Sequence, residues 1–267
     1  MTLPDKKNNL PDKGSRNIKM IKIKDLEIVW EDEGLVAVNK PAGLLTIPDR
    51  FNTAAPSVLS MLQKKYGDVI PVHRLDRFTS GVVLFAKNPD MHRKMSELFE
   101  NREVKKYYTA IVEGRLFPDK GIINAPLAES MTTRGKMLVN KRGKESITEY
   151  EVEKQYNRFA VVQLRLHTGR MHQIRVHMLH IGHPLAVDTL YGQRDMLFLS
   201  QIKQKKFNIG KFEEEKPVLT RQPLHAFRLI FNHPDTGALI ECTAPLPKDM
   251  AALINQLEKW DNKRSVI

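Results

Sequence analysis

The run Val72-His73-Arg74-Leu75-Asp76-Arg77-Phe78-Thr79-Ser80-Gly81 sets one carboxylate between two arginines, with two hydroxyls and a glycine close behind. A carboxylate so placed can act as a nucleophile, as a general base, or as half of a surface ion pair. It precedes a continuous apolar run, Gly81 to Ala86, and loops at the ends of strands are where scaffolds present reactive groups. A second run, His167-Thr168-Gly169-Arg170-Met171-His172-Gln173-Ile174-Arg175-Val176-His177, supplies further cations. If His172 and Arg175 lie on a helix, three residues apart, they share one face. Thr168 or Gly169 would open that helix, and its first amides would favour an anion. An arginine on this face can pair with Asp76 and favour its charged form, which a nucleophile or base needs. A third run, Lys106-Tyr107-Tyr108-Thr109-Ala110, offers a tyrosine either to stack on an unpaired base or to pack within a sheet.

Other chemistries find less support. His172, His177, His180 and His183 are five, three and three residues apart, which does not match the His-Glu-x-x-His spacing of a metal-dependent hydrolase. No metal is expected. Neither a Walker-type loop nor a Gly-x-Gly-x-x-Gly fingerprint occurs, so a nucleotide cofactor has no support, and a Gly-x-Ser-x-Gly elbow is also absent. Cys242 is the single cysteine, which excludes an internal disulfide and a multi-cysteine zinc site; its apolar neighbours point to a buried strand position.

The elements that would carry these groups follow from local pattern. Strands are expected at Leu26 to Trp30, Leu35 to Val38, Gly81 to Ala86, Tyr108 to Val112, Thr148 to Val152, Val161 to Leu166, Phe227 to Phe231 and Ala238 to Thr243. The apolar run at 81–86 has no polar alternation and predicts a strand covered on both faces. Helical spacing marks Pro56 to Tyr66, Met91 to Glu100, a short helix from His172 to His180, and Lys248 to Trp260. Strands outnumber helices without strict alternation, so the fold class is α+β with a large, mainly antiparallel sheet. Residues 129–145 and 194–222 read as long basic insertions able to clamp a polyanion. Residues 1–22 read as a flexible basic arm and 23–267 as one catalytic domain.

Among its 267 residues 41% are hydrophobic and 28% charged, and the net charge is +12. A globular protein with that excess of cations draws polyanions, of which nucleic acid is the commonest in a cell. There is no apolar run long enough to span a membrane and no apolar signal core near the start. A cytoplasmic protein without a membrane partner is expected.

In order and spacing these motifs resemble the RluA-type family of RNA pseudouridine synthases. Val38-Asn39-Lys40-Pro41-Ala42-Gly43-Leu44 is similar to the family's opening strand and turn, and His73-Arg74-Leu75-Asp76 with Thr79-Ser80-Gly81 to its catalytic motif. Lys106, Tyr108, Ala110, Val112 and Gly114 continue the likeness, as do Thr168-Gly169-Arg170 and His172 to His177. Gly182-His183-Pro184, Asp188, Tyr191-Gly192, Leu224-His225-Ala226 and Ala244 to Pro247 complete it, so that it runs from about Leu26 to Pro247. Met171 stands where the family has a small hydroxyl residue, and Ala186-Val187 replace a small-Gly pair.

The resemblance implies a mixed, mostly antiparallel sheet with a central RNA cleft, and isomerisation of uridine to pseudouridine without a cofactor. It implies that Asp76 is the essential carboxylate, that Tyr108 packs on the uracil, and that Arg175 pairs with Asp76. Arg74 would fill the gap left by a flipped uridine and Arg170 would support the site or bind phosphate. With these, His73, Arg77, Thr79, Lys106 and His172 are the expected substrate and RNA contacts. The expected form lacks the small N-terminal RNA-binding domain of many relatives and acts as a monomer, with no obligatory protein partner, on a stem-loop of ribosomal or transfer RNA. Two other readings are a metal-dependent RNA hydrolase built on the histidines and a non-catalytic RNA chaperone.

Overall fold

The apolar run that ends at Ala86 becomes the strand next to which the candidate carboxylate is held. The computed structural model describes residues 26–50, 52, 54–203 and 214–262. In chain order these form β1 (Glu27–Glu31), β2 (Leu35–Lys40), α1 (Val58–Tyr66), β3 (Ile70–Pro71), β4 (Ser80–Ala86), α2 (Pro89–Glu100) and β5 (Lys105–Glu113). Next come β6 (Lys120–Asn124), β7 (Leu127–Glu129), β8 (Met137–Val139), β9 (Ile147–Gln155), β10 (Phe159–Leu166) and α3 (Gln173–His180). The remainder is β11 (Leu197–Phe198), α4 (Leu199–Lys203), β12 (Pro217–Leu219), β13 (Leu224–Asn232), β14 (Leu239–Thr243) and α5 (Lys248–Trp260).

A 10-stranded sheet has the order β1-β2-β4-β13-β5-β10-β9-β6, with β3 beside β4 and β14 beside β13. Its pairs are antiparallel, except that β4 and β13 run parallel. This is the expected α+β class. Alternate residues of β2 and β4 serve different cores. Val36, Val38, Val83 and Phe85 join Val58, Leu62 and Met178 on one face. Leu35, Ala37, Val82 and Leu84 join Met91 and Met95 on the other. Every residue of β4 is buried, as an uninterrupted apolar strand requires. At the far end, Met250, Leu253 and Leu257 of α5 cover Ile111, Phe159 and Val161. Cys242 is buried in β14, as expected.

Local signals explain the helix starts. Ser57 and Ser60 form a reciprocal capping box at the head of α1, and Asn88 caps α2 just before Pro89 at its first turn. The parallel junction of β4 and β13 depends on Gly81. Its φ is +114°, and an added Cβ would sit 2.1 Å from the Ala226 carbonyl oxygen. Glycine is needed there both for the angle and for the approach.

Three expectations change. The helix expected to open at Thr168 or Gly169 begins at Gln173, with His172 outside it in the left-handed region at φ 56°. Gln173 explains the delay, because its side chain accepts from the Arg170 N–H and the Thr168 hydroxyl and donates to Ile147 O, folding 168–172 into a tight loop. The insertion 129–145 carries β8, which pairs with β7 in a two-stranded ribbon, and the insertion 194–222 carries β11, α4 and β12. The arm at 1–22 lies outside the described residues. No helix among the described residues is long and apolar enough to cross a membrane.

Candidate active site

Asp76 lies in the loop between β3 and β4, and the residues on either side of it are tied to the segment 40–46. The Thr46 hydroxyl donates to Leu75 O at 2.9 Å and accepts from Leu75 N–H at 3.1 Å. On the other side, Arg77 O accepts from Gly43 N–H at 2.8 Å and from Lys40 Nζ at 3.0 Å. Lys40 is fully buried and also donates to Pro41 O and Leu44 O, at 3.1 and 2.8 Å. Burial pushes its pKa down to about 7, with the nearby Asp76 charge pulling the other way. The Thr79 N–H donates to Asp76 O at 3.1 Å and closes the loop. The aspartate is therefore presented by a backbone fixed on both sides.

The carboxylate looks into an open cleft of about 70 Å³. Tyr108, Thr79, Leu166, Ile174 and Leu224 line it beside the charged groups. Tyr108 is buried on β5, and burial with the Asp76 charge pushes its pKa up. The phenol therefore keeps its proton. Two groups from the opposite wall approach the same oxygen: His172 Nε2 is 3.7 Å and Arg175 Nη1 3.8 Å from Asp76 Oδ2.

Neither group is loosely held. Arg175 is 4% exposed and makes a two-pronged pair with buried Asp188, Nε to Oδ2 at 2.7 Å and Nη2 to Oδ1 at 2.8 Å. Asp188 also accepts from the N–H groups of Leu190 and Tyr191, at 2.9 and 3.1 Å. The Tyr191 ring lies beneath the Arg175 guanidinium at 4.7 Å, and its hydroxyl meets His172 Nδ1 at 2.8 Å. That hydroxyl also accepts from Met137 N–H of β8 at 2.8 Å. Burial lowers the His172 pKa, with Asp76 opposing and Arg175 adding to the shift.

Of the residues expected from sequence, the cleft gathers Arg74, Asp76, Thr79, Tyr108, Arg170, His172 and Arg175. His73 turns elsewhere. Its ring stacks on Phe99 at 5.0 Å and its Nε2 accepts from Leu84 N–H, and burial pulls its pKa to about 3. Exposed Arg77 donates to Gly43 O. Lys106 stands on β5 two residues from Tyr108, near the Phe99 ring, and burial with the fields of Arg102 and Arg170 lowers its pKa to about 8. Three of the four histidines have separate partners: His177 bonds Thr148 and Ala125 O, His183 faces Glu113 O, and His172 faces Tyr191. No cluster of three metal-ligating side chains forms among the described residues.

Lys40, Asp188 and Tyr191 entered the sequence reading only as motif positions without a stated role, and Thr46 was not singled out. An acid directly after the apolar Leu185-Ala186-Val187 was the available signal for Asp188, since a buried carboxylate demands a partner. The other three look like ordinary strand and turn residues until the chain is folded.

The chain is similar to several known proteins. The family model described as RNA pseudouridylate synthase matches residues 34–180. An uncharacterized RNA pseudouridine synthase, YlyB of Bacillus subtilis, is 38% identical over 243 residues, covering 88% of this chain and 74% of that protein. Ribosomal large subunit pseudouridine synthase D of Haemophilus ducreyi is 37% identical over 245 residues, covering 90% of this chain and 72% of that protein. Among solved structures, human RNA pseudouridylate synthase domain containing 4 superposes with a TM-score of 0.67 at 25% identity, over 87% of this chain and 93% of that one. Human RNA pseudouridylate synthase domain containing 1 shares the fold, with a TM-score of 0.63 at 23% identity, over 91% and 98% of the two chains.

Proposed function

Because this chain belongs to the RluA-type RNA pseudouridine synthases, we propose that Asp76 is the carboxylate on which its uridine isomerisation turns. The single observation that carries this is the position of Asp76, fixed by backbone on both sides and met at one oxygen by Arg175 and His172 across the cleft. A carboxylate so flanked is held and aimed, as a nucleophile must be.

The reaction breaks the N1–C1′ glycosidic bond, turns the uracil and rejoins it through C5. The hydrogen lost from C5 is balanced by one gained at N1, so no atom is exchanged with a second substrate. A positioned carboxylate, a water-poor pocket and a proton path meet that demand, and no cofactor is called for. Tyr108 packs against the uracil. Arg175 holds Asp76 in place, and Arg170, which donates from Nε to Glu145 O at 3.2 Å at the cleft edge, takes a phosphate. Thr79 and His172 complete the wall.

Uridine within structured RNA leaves its stack to reach this cleft, at a cost of a few kcal/mol. Arg74 is exposed at the cleft mouth, where its guanidinium can fill the vacated space and offset part of that cost. Every group in this assignment comes from one chain, so a monomer would suffice for it. Large-subunit ribosomal RNA is the first substrate to test, in the cytoplasm, where that RNA is made and modified.

The test compares RNA from cells with the wild-type protein, with none, and with Asp76→Ala. Pseudouridines are mapped by carbodiimide labelling and primer extension across ribosomal and transfer RNA. The same one or few sites are expected to vanish in both defective strains. An unchanged map with the variant well expressed would remove Asp76 from this role.

A further inference from the structure

We infer that His172 is a positioning residue for the isomerisation, a neutral imidazole that presents its Nε2–H to Asp76 and is locked in that tautomer by the Tyr191 hydroxyl. This rests on the reading of Asp76 as the catalytic carboxylate, and it gives His172 a role other than the RNA contact expected from sequence.

The hydrogen-bond inventory leads to one arrangement. The Tyr191 oxygen accepts from the Met137 N–H at 2.8 Å, a bond whose direction is fixed because an amide can only donate. The Tyr191 hydroxyl hydrogen is then available to His172 Nδ1, also at 2.8 Å. A neutral imidazole carries one donor and one acceptor nitrogen, so accepting at Nδ1 leaves the proton on Nε2. That nitrogen points to Asp76 Oδ2, 3.7 Å away. The opposite tautomer would aim a lone pair at the carboxylate and deprive the tyrosine hydrogen of the imidazole acceptor.

At 3.7 Å the pair is longer than a direct hydrogen bond. Catalytic bonds are often long without substrate and tighten when it binds, so the contact is poised to shorten as the cleft fills.

Two further observations point the same way. His172 holds φ at 56°, the left-handed region that a non-glycine residue enters at some cost. That conformation places the imidazole between Tyr191 and Asp76 without adding it to the helical turn. In addition, one short turn secures both partners of Asp76: Asp188 grips Arg175, and three residues on Tyr191 grips His172. Both then meet the same carboxylate oxygen.

The full-length protein labelled with ¹⁵N-histidine, observed by long-range ¹H–¹⁵N NMR at neutral pH, reads the tautomer directly. The His172 resonance is identified by its absence in His172→Gln. The Nε2–H form is expected in the wild type, and a mixture of tautomers in Tyr191→Phe. An Nδ1–H wild type would overturn the proposal.

Kinetics on a substrate stem-loop add a second reading. Tyr191→Phe is expected to lower kcat about 10-fold and His172→Ala about 100-fold, with KM changed less than about two-fold. His172→Gln, whose amide can present an N–H near the same place, is expected to recover part of the loss. Thermal unfolding of each variant separates a misfolded protein from a slow one. Wild-type kcat in a folded Tyr191→Phe or His172→Ala protein overturns the positioning role. If Asp76→Ala is inactive in that case, the reading of Asp76 survives without this one; an active Asp76→Ala removes both.

Discussion

Arg175 divides its guanidinium between two carboxylates, and the division decides what its loss would do. The short contacts go to Asp188, which is buried, while Asp76 receives the third nitrogen at 3.8 Å. Arg175→Ala leaves the buried Asp188 carboxylate without its guanidinium partner. Breaking a buried pair from one side costs about 3–5 kcal/mol, and urea denaturation should show a loss of that size. Asp76→Ala removes a half-buried side chain and should shift stability by less than about 1 kcal/mol while abolishing product. Lys106 makes a different prediction. Its ammonium carries charge below about 8 and loses it above, so a phosphate contact there weakens as pH rises. RNA affinity, measured by fluorescence anisotropy at constant salt, should fall between pH ~7 and ~9. Lys106→Arg, charged throughout, should flatten that dependence. At this scale the motifs pointed to Asp76, Tyr108 and Arg175, and all three line the cleft. The Asp188 and Tyr191 contacts were hidden because they join a helix to a turn, and spacing along one chain says little about a meeting across a loop.

Elements were readable where their apolar pattern was complete. The helix α5 was expected at Lys248 to Trp260 and runs Lys248–Trp260, because Met250, Leu253 and Leu257 mark one face and all three are buried. The strand β6 was not foreseen. It lies at the sheet's edge, where adjacent Ile122, 68% exposed, and Ile123, buried, hide the polar–apolar alternation that marks a half-buried strand. The ribbon of β7 and β8 was hidden inside a polar stretch because its apolar residues pack on α3 and Tyr191, distant in sequence. Gly81 yields the sharpest prediction at this level. Gly81→Ala would force a methyl to within 2.1 Å of the Ala226 oxygen at the β4–β13 junction. A destabilisation above about 4 kcal/mol is expected, seen as loss of soluble protein or of the cooperative circular-dichroism melt.

For the whole molecule, the excess of cations is the property most directly linked to RNA. Lys141, Arg142 and Lys144 are exposed just after β8, on the segment whose Met137 N–H reaches Tyr191. Each phosphate contact contributes about 0.7–0.9 to the slope of log affinity against log salt. Replacing all three with glutamine should reduce the magnitude of that slope by about 2 if all three meet phosphate. An unchanged slope would place the RNA elsewhere on the surface. The composition announced a polyanion partner, but it carried no information on which face would receive it, since that follows from how the ribbon is docked.

The place of β13 has a consequence for how the protein comes into being. It is the strand between β4 and β5 in the sheet order, yet it is among the last strands in the chain. Asp76 precedes β4 on one side of it, while Tyr108 sits on β5 at the other. Ser80 and His225, which bond across this junction, are 145 residues apart. During synthesis the two halves of the cleft can therefore emerge and fold locally, but they have no keystone until residues 224–232 leave the ribosome. A prematurely terminated chain would carry Asp76 and Tyr108 but lack the strand that stands between β4 and β5, and such incomplete copies are expected to be inactive.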